Sequence, residues 1–271
     1  MRRLSYIFWG VIFFTLVSCN DRDKIVNIDL PDYQPQNVLE CYLDSGQINR
    51  LLLTKSASFQ DTLYPVVTDA FITITNNNII DTLFYKPLID TTYLKVYTHQ
   101  GKKTFQFKEG ESYNLNIKLS NGQEITGVTT YQPKVKIDTI IYDLSEDKKY
   151  YNLNVKFKDN QGIRNFYRAV FNVNGVIYNS NNIDYVFDDN NLKTTTAAVV
   201  TNYRFSPKDT VIVSFYNLSE DYYRYLRSVR LADNANGNPF AQPASIQSNI
   251  TGGIGIFTNL VYDRDTIYLP K

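Results

Sequence analysis

Alternation of apolar and polar residues is the strongest pattern in this chain. Five segments show it, namely 113–119, 135–141, 151–157, 167–173 and 211–215. A period of two places alternate side chains on opposite faces of a β-strand. Asn121-Gly122 and Asn174-Gly175 lie between apolar runs, and Asn-Gly tolerates the backbone of tight hairpin turns. The pattern therefore predicts antiparallel strands with one solvated face.

The rhythm of the strands predicts two domains. Residues 28–131 have the short-strand spacing of an immunoglobulin-like or transthyretin-like β-sandwich. Residues 132–271 have longer strands, which favour a larger antiparallel sheet or a partly closed barrel, and Pro133 opens this second series. The predicted fold class is all-β, with one helix in the C-terminal region.

The helix is predicted at residues 219–232. Ser219 can cap it, and acidic residues follow where the helix dipole favours them. Apolar residues recur at positions i, i+3, i+4 and i+7, namely Tyr222, Tyr225, Leu226 and Val229. Arg227 and Arg230 would lie in the last turns, where the dipole favours cations.

The N-terminus has the features of a signal peptide. Arg2 and Arg3 precede a short apolar run that ends in Leu16-Val17-Ser18-Cys19, which resembles the lipobox of bacterial lipoproteins. The resemblance implies a signal peptide at residues 1–18 and a lipidated Cys19, which would anchor the protein in outer-membrane lipid. An ordinary secretory signal with a chance cysteine is the alternative.

Residues 19–27 would form the lipidated tether. Asn20-Asp21-Arg22-Asp23 resembles the acidic export signal that directs Bacteroidota lipoproteins to the outer face of the outer membrane. Acidic residues are also common in plain linkers, so the side of the membrane stays open.

Charge and cysteine content narrow the classes of function. Without residues 1–18, which contain two of the 28 basic residues, the chain has 26 basic and 27 acidic residues. This balance argues against a nucleic-acid-binding protein, because such proteins normally have a clustered excess of basic residues. If Cys19 is lipidated, Cys41 is left alone and no internal disulfide can form.

Candidates for catalysis and ligand binding are few. The single histidine, His99, has no partner motif, and Cys41 is interpreted as a core residue. Gly252-Gly253-Ile254-Gly255 lacks the Lys-Ser/Thr of a phosphate loop and favours a close-packed backbone bend. Asp184, Asp188 and Asp189 do not have EF-hand spacing and favour a polar hairpin end. We predict no catalytic residue, no metal site and no cofactor.

Longer motifs resemble a known family. Tyr222-Tyr223-Arg224-Tyr225-Leu226-Arg227, Asn238-Pro239-Phe240 and the segment from Ser248 to Phe257 occur in this order after the lipobox. They resemble a Bacteroidota outer-membrane lipoprotein family with a domain of unknown function (DUF4249-like), often encoded beside TonB-dependent receptors. The resemblance implies a surface-exposed, non-catalytic accessory or binding subunit of a TonB-dependent transporter. A cell-surface hydrolase and a structural or adhesive lipoprotein remain alternatives.

Five Asp-Thr-apolar tripeptides resemble the acceptor sequence of Bacteroidota envelope O-glycosylation. Their threonines are Thr62, Thr82, Thr139, Thr210 and Thr266. The same tripeptides are also typical of turns that enter strands.

The segment 236–257 is a candidate interface with the receptor, because it lacks charged residues and carries apolar anchors. These anchors are Phe240, Ile246, Ile254, Ile256 and Phe257. The alternative is that they line the core of the C-terminal domain, with Gly255 permitting close strand packing.

Overall fold

The computed structural model describes residues 33–58, 65–77, 80–90, 95–175, 183–190, 192, 194–235 and 244–271. Residues from Pro35 onward form one compact unit. The strands are β1 Asn37–Leu43, β2 Ile48–Lys55, β3 Phe71–Thr75, β4 Ile80–Asp90, β5 Lys95–Thr104, β6 Ser112–Lys118, β7 Glu124–Thr130, β8 Ile137–Leu144, β9 Tyr151–Lys158, β10 Phe166–Val173, β11 Ile183–Asp188, β12 Thr196–Val200, β13 Thr210–Leu218, β14 Ile250–Thr251, β15 Ile254–Asn259 and β16 Val261–Tyr268. The helix α1 spans Glu220–Ala235.

Nine strands form one sheet that nearly closes on itself. Their order is β14-β7-β6-β3-β4-β5-β2-β1-β15, and the two end strands follow each other in the chain. The pairs are antiparallel except β1 with β15, which is parallel. Leu39, Leu51, Ile72 and Phe257 are among the fully buried residues of its core.

Glycines make this closure possible. Gly252 (φ +83°) and Gly255 (φ +138°) have positive φ, which L-residues with a side chain rarely adopt. A Cβ at Gly252 would collide with the carbonyl oxygen of Glu124, and one at Gly255 with that of Leu39. The close-packed backbone bend predicted from the sequence is therefore confirmed.

The C-terminal region packs two antiparallel sheets face to face. One has the order β12-β9-β8 and the other β11-β10-β13-β16. Phe157 on β9 lies between them, with its ring centroid 5.0 Å from that of Tyr167 and 4.4 Å from that of Phe215. Alternating residues of β9, β10 and β13 thus supply a second, aromatic core.

Helix α1 covers a third core. Tyr222, Tyr223 and Tyr225 pack with Tyr42 of β1 and Ile256 of β15. The backbone N–H of Tyr222 donates to Ser219 Oγ at 3.3 Å, which confirms the cap.

The helix continues to Ala235, three residues beyond its predicted end. The chain has no Gly or Pro after the cap until Gly237, so nothing breaks the helix earlier. Arg227 and Arg230 consequently lie inside the helix, and their predicted place in its last turns is wrong.

The all-β class with one helix is confirmed for the described residues. Of the two alternatives predicted for the C-terminal region, the structure has antiparallel sheets, and the nearly closed sheet is formed mainly by N-terminal strands. The division at residue 132 stays a prediction. Strands β14 and β15, which lie beyond that position, pair with β7 and β1.

Candidate functional site

The anchor lies outside the described residues. The signal peptide 1–18, Cys19 and the tether 19–27 all belong to this part, so lipidation stays a prediction. Thr62 and Phe240 also lie outside it. Among the described residues, no helix is long and apolar enough to cross a membrane.

The described part of the predicted interface segment packs inside the molecule. Ile256 and Phe257 have no exposed surface, so these two belong to the core and cannot contact a receptor in this fold. Ile246 and Ile254 are half-buried. The sequence left both interpretations open because a protein core and the centre of an interface are both apolar and poor in charge.

Two of the predicted glycosylation sites are accessible. Thr139 on β8 and Thr266 on β16 are exposed, whereas Thr82 and Thr210 are half-buried. Both exposed threonines lie on edge strands of their sheets. Asp209 immediately precedes β13, so the strand-entry interpretation holds at Thr210. Glycosylation itself stays a prediction.

His99 and Cys41 are sealed inside the nine-stranded sheet. Both residues have no exposed surface, and both lie in register with Leu51 of β2. Burial lowers the pKa of His99 to about 4. Burial and the charge of Asp81 raise the pKa of the Cys41 thiol, which disfavours the nucleophilic thiolate. The interpretation of Cys41 as a core residue is confirmed.

A buried polar group lies beside them. Asn49 Nδ2 donates to Asp81 Oδ2 at 2.9 Å, and both side chains are buried. Burial raises the pKa of Asp81. Asn49 Oδ1 and His99 Nε2 are buried without a hydrogen-bond partner among the described residues. The sequence analysis considered Asp81 only as part of the tripeptide that contains Thr82, and it did not consider Asn49. Each stands beside another polar residue in its strand, so no local pattern marks it as buried.

The three aspartates considered for calcium bind protein donors. Arg168 Nε and Nη2 each donate to the Asp184 carboxylate at 2.9 Å. Asp188 accepts from Arg164, and Asp189 accepts from the Asn165 amide at 2.8 Å. The described residues contain no group of acidic, His or Cys side chains arranged to hold a metal ion.

Glu40 joins the nine-stranded sheet to helix α1. Its carboxylate accepts from Tyr42 at 2.9 Å, from Tyr225 at 3.1 Å and from Lys95 at 3.3 Å. Burial raises the pKa of Glu40, but the Lys95 charge and the hydrogen bonds outweigh burial and lower it overall. Lys95 Nζ also lies 4.0 Å from the centre of the Tyr42 ring. These groups satisfy one another, so the cluster fixes the helix rather than offering open chemistry.

Exposed apolar side chains concentrate on β3, β4 and β5. We call this set the hairpin surface, and it consists of Phe71, Ile80, Phe84, Ile89 and Val96. Ile89 and Val96 face each other across the β4–β5 ladder and are 66% and 52% exposed. Single exposed apolar residues are ordinary, but adjacent ones such as Ile89 and Val96 are typical of surfaces that contact another protein.

Comparison with known proteins identifies one family. A family model described as Domain of unknown function (DUF4249) matches residues 23–265, which is most of the chain. No curated protein matches the chain. The matched range includes the hairpin surface, the Glu40 cluster and nearly all of the three cores.

Proposed function

The chain belongs to the family described as Domain of unknown function (DUF4249), and on this premise we propose that it is a lipid-anchored, non-catalytic binding protein. In this proposal Cys19 holds it in the outer membrane, facing the cell exterior. It acts there as an accessory subunit of a TonB-dependent receptor. The lipobox and the acidic tether support the anchor and its side.

The hairpin surface carries the proposal of a binding role. Ile89 and Val96 stand opposite each other with most of their side chains in solvent, although burying them would be favourable. A partner that covers such groups gains their apolar area. The burial of His99 and Cys41 also supports binding over catalysis, because neither can touch a substrate without unfolding.

Co-purification tests the receptor role. The full-length protein with Ile89→Asp should lose a large barrel protein that co-purifies with the wild type from detergent-solubilised membranes. Val128→Asp is the matched control, since Val128 is 54% exposed on β7 of the same sheet. If Ile89→Asp retains the barrel protein as well as Val128→Asp does, the hairpin surface is not the receptor interface.

The anchor has a separate test. Cys19→Ala should leave an unprocessed or soluble precursor, because Cys19 is the proposed attachment point. A Cys19→Ala protein that still fractionates as a mature outer-membrane species would contradict the anchor.

Intact-mass measurement of the native protein tests glycosylation at the accessible Thr139 and Thr266. A mass of peptide plus lipid alone would contradict it.

A further inference from the structure

Beyond its first residue, strand β8 has no strand paired on one side among the described residues, whereas the N–H of Ile137 donates to Asp263 Oδ2 of β16 at 2.9 Å. It forms the edge of the sheet β12-β9-β8, and β9 is its only strand partner among the described residues. Ile141, Tyr142 and Leu144 are each about 40% exposed, at 40%, 41% and 39%. An edge strand with exposed apolar side chains is a template for pairing with another strand.

The hydrogen bonds of β9 show which groups of β8 face outward. Leu153 O accepts from Thr201 N, and Tyr151 N donates to Phe205 O, so the odd-numbered residues of β9 bond away from β8. In an antiparallel ladder the alternate residues bond to the other neighbour. The backbone of Ile140, Tyr142 and Leu144 is therefore directed to the open side.

Another edge of the molecule is protected against pairing, whereas β8 is not. The outer half of β4, beyond its pairing with β3, carries Lys86 and Pro87. Lysine and proline are common means of blocking an edge. Strand β8 contains neither, and only the bulge at Asp138 interrupts its ladder, so residues 139–144 form a regular edge.

We propose that two copies of this chain pair through β8, antiparallel and across a two-fold axis at Ile141. In this register Ile141 faces Ile141, and Thr139 of each copy faces Asp143 of the other. Ile140 and Tyr142 form the hydrogen-bonded pairs, as their outward backbone requires. If the two-fold axis lay one residue away, Ile141 would face Asp143 or Thr139 of the other copy. The apolar contact between the two Ile141 side chains would then be lost.

The contact is short and gains from the anchor. The five residues 139–143 that face each other in this register bury less than the roughly 1,200–2,000 Å² of a typical stable interface. Confinement to a membrane raises the effective concentration of two copies, so the pairing is expected mainly for anchored protein. Only this enhancement rests on the proposed function, because the pairing surface itself is independent of any receptor.

Cysteine trapping tests the proposal in the full-length protein. Odd-numbered residues face each other at non-hydrogen-bonded positions, where Cα atoms are about 4.5 Å apart, a distance that suits a disulfide. Ile141→Cys should form covalent dimers on mild oxidation, at a yield roughly tenfold above that of a cysteine outside the contact. Leu231→Cys, 58% exposed on α1, is the collision control, and native Cys41 is buried.

A second pair of variants tests for an increase in the yield of covalent dimer. Adding Thr139→Lys to Ile141→Cys should increase the dimer, because the lysine meets Asp143 of the other copy. Thr139→Ala in the same background controls for loss of a glycan acceptor.

Several outcomes would overturn the proposal. If Ile141→Cys forms no more dimer than Leu231→Cys does, the two copies do not pair through β8. If Tyr142→Cys forms more dimer than Ile141→Cys does, the proposed register is wrong. A disulfide to a protein of different mass means that the edge serves another partner. Each result is separate from the co-purification of the barrel protein.

Discussion

The interior of the nine-stranded sheet and the interior of the C-terminal sheet pair are built differently. The first contains Asn49, Asp81 and His99 among its aliphatic residues, and Asn49 Oδ1 and His99 Nε2 have no hydrogen-bond partner among the described residues. The second is dominated by aromatic rings, with Phe157, Tyr167 and Phe215 in contact. In the second region, the buried atoms without a hydrogen-bond partner among the described residues are Asn154 Oδ1 and Asn172 Oδ1, which belong to side chains on the outer faces of strands.

The two cores differ in how their buried groups affect the free energy of unfolding. Aromatic rings gain burial and ring contacts together, so the C-terminal core should be the more stable one. A buried polar group without a partner costs free energy, and an ionisable one makes that cost depend on pH. The first interior should therefore be the pH-sensitive part of the fold.

The largest effect is expected in the aromatic core. Phe157→Ala should lower the free energy of unfolding by about 3–5 kcal/mol, because Phe157 is fully buried between both sheets. Urea unfolding measures the change. Phe157→Leu, which retains most of the volume, should lose less than about 1.5 kcal/mol. Equal losses for both variants would contradict ring packing as the cause.

Acid should weaken the first interior. The pKa of His99 is about 4 in the fold and about 6.5 when unfolded. Between these pH values the unfolded chain binds more protons, so stability falls as the pH drops from 6.5 toward 4. The loss is at most about 3 kcal/mol. The free energy of unfolding of His99→Gln, measured by denaturant at several pH values, should lack this dependence on pH. If the pH dependence is unchanged in His99→Gln, other groups cause it.

Asp81 should have the opposite sign and a smaller effect. Its raised pKa means that the folded state holds a proton longer, so this group favours the fold as the pH falls through the raised value toward 3.8. Asp81→Ala leaves the Asn49 amide unpaired and should cost about 1–3 kcal/mol. Asp81→Asn retains an acceptor without the charge, and chemical denaturation at pH 7 should show a smaller loss. A larger loss for Asp81→Asn would mean that the charge itself stabilises the fold.

The smallest effect is expected where the two regions meet. Ser219→Ala removes the cap of α1, which packs against both β1 and β10, and should cost about 1 kcal/mol. Ser219→Asp, which restores a capping oxygen, should recover most of it in thermal unfolding. If it does not, Ser219 contributes through packing.

The sequence alone determined the local features of this protein. Alternation in 113–119 and 151–157 predicted β6 and β9, and Ser219 marked the start of α1. The Gly252–Gly255 segment was correctly interpreted as a backbone bend. These features follow from side-chain period, capping and backbone freedom, all of which act within a few residues.

Only the tertiary structure decided which distant segments meet. The parallel pairing of β1 with β15 buries Phe257, whose charge-poor surroundings also fitted an interface. The hydrogen bond of Glu40 to Tyr225 joins residues 185 positions apart. The open side of β8 likewise follows from sheet order rather than from its own sequence. Strand partners and burial depend on packing across the whole fold, and the local periodicity of a segment does not specify which distant segment it packs against.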